Sequence, residues 1–151
     1  MEHRIVTLTH GDQEYTALLD RIRADTALVA AMEADAESHP DELDVPGTWW
    51  SVALVERQGV EVPAAWCAAR VEGDLLKAHS NYEHPDHRGH GLYAAAYRER
   101  HRSVVVPSGL PTVTYLFPEP IALHEADGWV RTGVSGVSEM GHQWAELRRP
   151  A

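Results

Sequence analysis

Apolar positions change their period several times along the chain. Ile5, Val6 and Leu8 sit in a short β-branched run that predicts a strand. From Asp12 to about Met32 the spacing becomes helical, with Tyr15, Leu18, Leu19 and Ile22 followed by Leu28, Val29 and Met32, so two helices or one bent helix are expected. Asp35–Gly47 mixes acidic residues with Pro40, Pro46 and Gly47 and predicts a polar, mobile loop. Strand chemistry resumes at Trp49–Val55. A turn at Arg57–Gly59, a strand over Val60–Val71, a turn at Glu72–Asp74 and a strand over Leu75–Glu83 then complete an antiparallel meander. His84–His87 breaks that strand at Pro85, and strong helix formers run from Gly91 to roughly Val105. After Pro107–Pro111 the pattern predicts a strand at Thr112–Phe117, a short helix around Ile121–Asp127 and two strands at Trp129–Val137 and Gln143–Leu147. The expected fold class is α/β (α+β), a central, mostly antiparallel sheet flanked by helices. No repeat, low-complexity tract or composition shift divides the chain, so residues 1–151 are read as one domain.

Composition narrows the function classes. The chain has 151 residues, 44% hydrophobic and 24% charged, a soluble globular balance that can bury a core without disulfides or structural metal. No stretch reaches the ~20 apolar residues of a membrane-spanning helix, and Met1–Val6 lacks the pattern of a secretory leader, so a cytoplasmic protein is expected. Thirteen Lys and Arg against 23 Asp and Glu give a formal charge of −10. That balance opposes nonspecific attraction to nucleic acid and anionic lipid and suits a cationic or neutral partner. Cys67, between Ala65-Trp66 and Ala68-Ala69, reads as a packed strand residue and not as a reactive thiol. Trp49, Trp50 and Trp66 fall on adjacent predicted strands and are read as core, with an aromatic acceptor pocket as the alternative.

The candidate chemistry concentrates in Glu83-His84-Pro85-Asp86-His87-Arg88-Gly89-His90-Gly91-Leu92-Tyr93, between a predicted strand and a predicted helix. A helix N-terminus exposes backbone N–H groups without intrahelical partners. Gly89 and Gly91 would let those donors close on a phosphate, and Arg88 could add a charged contact. The bland reading of the same residues is a tight turn. His79, His84, His87 and His90 raise the question of zinc, but they straddle a strand end and two turns without a ligand spacing, and no metal is expected.

Pro85-x-x-Arg88-Gly89-x-Gly91-Leu92 resembles the coenzyme A signature of the GNAT acyltransferases, and Ala122-Leu123-His124-Glu125-Ala126-Asp127-Gly128-Trp129 with Gly133 is similar to that family's second signature. The resemblance covers roughly residues 75 to 147; the first 48 residues agree only in having a strand followed by helices. It implies a GNAT-like fold and transfer of an acyl group, most simply from acetyl-coenzyme A, to the amine of a small molecule, with a homodimer common among resembling proteins. By the same resemblance the cofactor would lie against Glu83, His84, Arg88, Gly89, His90, Gly91, Leu92 and Tyr93. The oxyanion would be held by backbone N–H groups at Glu83 or His84, and the general base would be Glu83, His79 or a water they order. Two positions depart from the pattern. Tyr93 stands where the family has Gly or Ala, and must point away from the phosphate path for coenzyme A to bind. His124 stands at the family's tyrosine acid, where it would either protonate the departing thiolate or pack the short helix. Two rival functions remain: a noncatalytic ligand-binding protein, which Tyr93 favours, and an enzyme that uses a histidine-rich cleft for acid–base chemistry unrelated to coenzyme A.

Overall fold

A computed structural model describes residues 2–151. The alternating and β-branched runs become seven strands: β1 His3–Thr9, β2 Trp49–Arg57, β3 Val60–Glu72, β4 Leu75–Glu83, β5 Thr112–Leu116, β6 Val130–Val137 and β7 Gln143–Arg149. They form one mixed sheet in the order β1-β2-β3-β4-β5-β7-β6, antiparallel throughout except where β4 meets β5. The β2–β3 hairpin closes on Gln58 and Gly59, both at positive φ, the two-residue geometry whose twist matches that of the flanking strands.

Helices cover both faces of the sheet. On one face α1 (Gln13–Ala24) and α2 (Thr26–Ala36) bury Tyr15, Leu18, Ile22, Leu28 and Met32 against Trp50, Trp66 and Tyr82. The helical period breaks at Asp25, whose carboxylate accepts from Leu28 N–H at 3.0 Å and caps α2, so there are two helices. Trp50 and Trp66 are completely buried with their rings edge to face, 6.3 Å apart, which makes them core. On the other face α3 (Leu92–Arg100) packs Leu92 against Ala53 and Ala65. Its chain continues through a π turn, His101–Val105, into α4, Val106–Ser108. Pro107 lacks an N–H and its ring would crowd the carbonyl of Ser103; the widened turn accommodates both. A last short helix, α5 (Ile121–Glu125), bridges β5 and β6.

The expected loop at Asp35–Gly47 is corrected. Pro40–Leu43 forms a 3₁₀ turn closed by a reciprocal cap between His39 and Glu42, and Leu43 is buried in the α1–α2 cluster with its carbonyl accepting from the Tyr15 hydroxyl. Buried Pro40 and Leu43, together with the cap, order a segment whose composition reads as solvated. Among the described residues no helix is long and apolar enough to cross a membrane.

Candidate active site

The site exists because the one parallel pairing in the sheet is short. β4 and β5 pair only at Leu76 with Thr112, Lys77 with Val113 and Ala78 with Thr114. There Thr114 Oγ1 donates to the Ala78 carbonyl at 2.8 Å, a side-chain bond that closes the end of the parallel ladder. Beyond this point β4 runs to Glu83 paired only with β3 and β5 to Leu116 paired only with β7, and a cleft of about 1030 Å³ opens between them, walled also by the end of α2 and by Glu42. A bulge shapes its β4 wall: Trp66 faces Tyr82 while Ala68 faces His79, so β4 has one more residue than β3 over this stretch. Ser80 absorbs it at φ 57°, a left-handed conformation costing a non-glycine residue about 1 kcal/mol.

The bulge builds a hydrogen-bonded chain. Ser80 Oγ lies 3.3 Å from Glu42 Oε2, which can only accept, so the hydroxyl proton points at Glu42. Ser80 Oγ therefore accepts from His79 Nδ1 at 2.8 Å, and the His79 proton is on Nδ1. Nε2 is left as a bare acceptor, buried and without a partner among the described residues, in the wall of the cleft. Burial, followed by the charges of Arg70, Arg100 and Lys77, lowers His79 to about 4, so the ring is neutral.

Beside the cleft, between Arg88 and Tyr93 in its lining, a glycine turn joins β4 to α3. Gly89 and Gly91 have φ of 85° and 72°, and a Cβ on either would meet nothing within 4 Å, so the turn presents open backbone to solvent. His90 is exposed between them, and Leu92 is buried and anchors the first turn of α3. Tyr93 turns inward, its hydroxyl donating to Asn81 Oδ1 at 3.0 Å, so the bulky side chain stays off the turn. Two carboxylates already occupy part of this cradle. Tyr93 N–H donates to Glu83 Oε2 at 3.3 Å, and Arg88 pairs with Asp35 at 3.0 Å while stacking over Tyr82. Glu83 thus caps a helix in this conformation instead of waiting as a free base.

Two expectations are corrected. His84 N–H is committed to the Ala64 carbonyl at 2.7 Å, and its buried ring accepts from Asp86 N–H at 3.0 Å, capping the turn Pro85–His87. It offers no donor to an oxyanion. His124 is fully buried and does not line the cleft: its Nδ1 donates to the Pro120 carbonyl at 2.9 Å, and its Nε2 accepts from Arg100 at 3.2 Å. Burial and then the Arg100 charge lower it to about 4, so the ring is neutral and its one proton, on Nδ1, is held by the Pro120 carbonyl and not offered to a thiolate. Both ring nitrogens are used, and Tyr97 and Trp129 pack edge-on around the ring. The histidines do not gather in one cleft. His84 and His87 are buried edge to face outside it, while His79 and His142 line it.

Several cleft residues lie outside the sequence-derived set. His142 donates from Nδ1 to Glu37 at 2.7 Å and stacks on Phe117 with ring centroids 4.8 Å apart. The Ser138 hydroxyl joins the same carboxylate, which these bonds hold below the usual range. This knot ties the β6–β7 hairpin to the end of α2. Asn81 and the buried Arg100 stand behind the bulge, Arg100 donating to the Ala68 carbonyl at 3.1 Å and to Asn81 Oδ1 at 3.2 Å. One signal was available in the sequence: His79-Ser80-Asn81 puts three polar residues in succession where strand alternation calls for apolar ones.

The seven-stranded, mostly antiparallel sheet flanked by helices matches the GNAT-like fold of acyl-CoA N-acyltransferases. Solved structures similar to this chain include an acyl-CoA N-acyltransferase from Pseudomonas aeruginosa, at 18% identity and TM-score 0.67, covering 98% of this chain and 99% of that one. Others are the aminoglycoside 6'-acetyltransferase type Ii (13%, TM-score 0.65, 97% and 96%) and the NatC complex bound to Gag peptide and CoA (14%, TM-score 0.63, 100% and 99%). Identities of this size establish the fold and not the substrate. No family model and no curated protein matches the sequence.

Proposed function

We propose that the protein moves an acyl group, acetyl in the simplest case, from acyl-coenzyme A to the amine of a small molecule. The observation that carries this reading is His79 Nε2, a neutral, unpartnered acceptor buried in the wall of a cleft beside a helix N-terminus. The residues at that helix N-terminus fit coenzyme A. Gly89 and Gly91 leave their backbone open, Tyr93 is turned inward, and Arg88 is a half-exposed cation that can exchange Asp35 for a phosphate. When bound, acyl-coenzyme A would supply the activated thioester.

The protein's own groups do the rest. The neutral amine approaches with an N–H directed at His79 Nε2, which orients its lone pair toward the acyl carbon. The N–C bond forms, the C–S bond breaks and its electron pair leaves on sulfur. As bonding makes the nitrogen positive its proton becomes acidic, so a base as weak as His79 suffices to take it. Ser80 and the Glu42 carboxylate stabilise the resulting imidazolium through Nδ1. An alkyl thiolate, with a conjugate acid near the cysteine value of about 8.5, departs without a dedicated acid, in keeping with the sealed position of His124.

A second reading, ligand binding without transfer, draws on the two carboxylates in the cradle. Glu83 on Tyr93 N–H and Asp35 on Arg88 both oppose an incoming pyrophosphate. Calorimetric titration with acetyl-coenzyme A, beside an Arg88→Glu variant, tests the first reading. Micromolar binding, about −8 kcal/mol, that collapses in the variant supports it. An amine panel read by thiol release then separates transfer from mere binding. No binding by folded wild type sinks it.

A further inference from the structure

Arg100 is completely buried, yet among the described residues no carboxylate pairs with it, and its Nε has no acceptor. A guanidinium is expensive to desolvate, so one held in a core by neutral acceptors and the Tyr97 ring, without a counter-ion, calls for a reason. Its contacts supply one. Arginine can only donate, so the Asn81 atom facing it at 3.2 Å must be the amide oxygen, and the Tyr93 hydroxyl donates to the same oxygen. With Oδ1 fixed from behind by two donors, Nδ2 is directed the other way, and it donates to no described residue. Asn81 lines the cleft. Its amide dipole therefore presents its positive end to the splay between β4 and β5, with a buried positive charge behind it.

The bulge at Ser80 sets what this donor faces. His79 lies opposite Ala68, on the α1–α2 face of the sheet, while Asn81 contacts Tyr93 and Arg100 of α3 on the other face. A proton acceptor and a hydrogen-bond donor thus approach the cleft from its two sides. That is the arrangement in which an amine attacks from one side while charge accumulates on a carbonyl oxygen at the other. We propose that the Asn81 side-chain amide is the donor to the acyl carbonyl oxygen, with Arg100 as the positioning residue that fixes and polarises it. The assignment rests on the acyl-transfer reading above. It also accounts for Tyr93, whose hydroxyl is the second clamp on Oδ1.

Asn81→Asp is the discriminating variant. It keeps oxygen acceptors for Arg100 and Tyr93 and gives Arg100 a counter-ion, but replaces the donor with another acceptor, so the fold is retained, which a thermal melt checks. The expected result is a melting temperature no lower than wild type, acetyl-coenzyme A affinity within a few-fold, and turnover with an accepted amine reduced about 100- to 1000-fold. In isotope-edited infrared spectra of bound ¹³C-carbonyl acetyl-coenzyme A, the carbonyl stretch should lie higher in the variant than in wild type. An unchanged stretch with unchanged turnover overturns the inference. So does an equal loss of affinity for coenzyme A and acetyl-coenzyme A at unchanged turnover, which would make Asn81 a contact to the carrier arm. Wild type that fails to bind acetyl-coenzyme A at all refutes the acyl-transfer reading itself, and this assignment with it.

Discussion

Replacing Glu83 with Gln should tighten binding of coenzyme A. The Glu83 carboxylate sits 3.3 Å from Tyr93 N–H, in the first turn of α3, where an incoming pyrophosphate would seek the same donors. Two unit charges about 6 Å apart repel by about 0.7 kcal/mol even at the dielectric constant of water. A pyrophosphate presenting two charges therefore loses about 1.4 kcal/mol to Glu83, a tenfold factor in affinity, and more in a less hydrated cleft. Gln keeps an oxygen that can accept from Tyr93 N–H, so the helix cap survives and only the charge–dipole part, about 0.5 kcal/mol, is lost from stability. Calorimetric titration of both proteins with coenzyme A at low and high salt reads the effect directly. The gain should approach tenfold at low salt and shrink as ions screen the cleft. Equal or weaker binding by the variant at low salt would refute the reasoning, because it would mean the carboxylate contributes to the site and does not obstruct it.

Two further predictions concern the core and the bulge. His79 and His124 are both held at about 4, below the unfolded value of about 6.5, so the unfolded chain takes up protons first. Stability from these groups is complete above pH ~6.5 and is lost as pH falls toward 4, by up to about 1.4 kcal/mol per pH unit for each. Denaturant melts between pH 7 and 5, roughly above the carboxylate range, should show the slope. His124→Gln, which keeps an acceptor for Arg100, should flatten it, and an identical slope in that variant would contradict the assignment. Ser80→Ala and Ser80→Gly both remove the hydroxyl between His79 and Glu42 and should both slow turnover. Only glycine relieves the left-handed backbone, so Ser80→Gly should melt about 2–4 °C above Ser80→Ala; coincident melting curves would show that Ser80 carries no strain.

What could be seen in advance was local. The meander was visible because alternation and turn residues are properties of neighbours, and the strand–turn–helix unit because Pro85, Gly89 and Gly91 punctuate it. The direction in which His124 points was not, since it is decided by Arg100, 24 residues away, and by Pro120 and Trp129 packed around the ring. Glu42 and Ser80 are 38 residues apart, and Glu37 and His142 are 105 apart, so neither pair leaves a mark in any window of sequence. The segment Asp35–Gly47 misled because its prolines and acidic residues read as loop, although Pro40 is itself buried beside Leu43. Tyr93 could be flagged as a departure, but its resolution required Asn81, which only the bulge brings within reach.

Tyr93 and Arg100 lie two turns apart on one face of α3 and grip the same amide oxygen. Through them the helix is keyed to β4 like a toothed rack, so its rotation and its sliding are set by Asn81. The backbone donors at the head of that helix and the amide at its flank are thus parts of one rigid body. A graft of the glycine turn and helix from a protein with a small residue at position 93 would bring in the open turn and cut the tie to the strand. On the acyl-transfer reading proposed above, a grip on the carrier and polarisation of the acyl group would be inherited together or not at all.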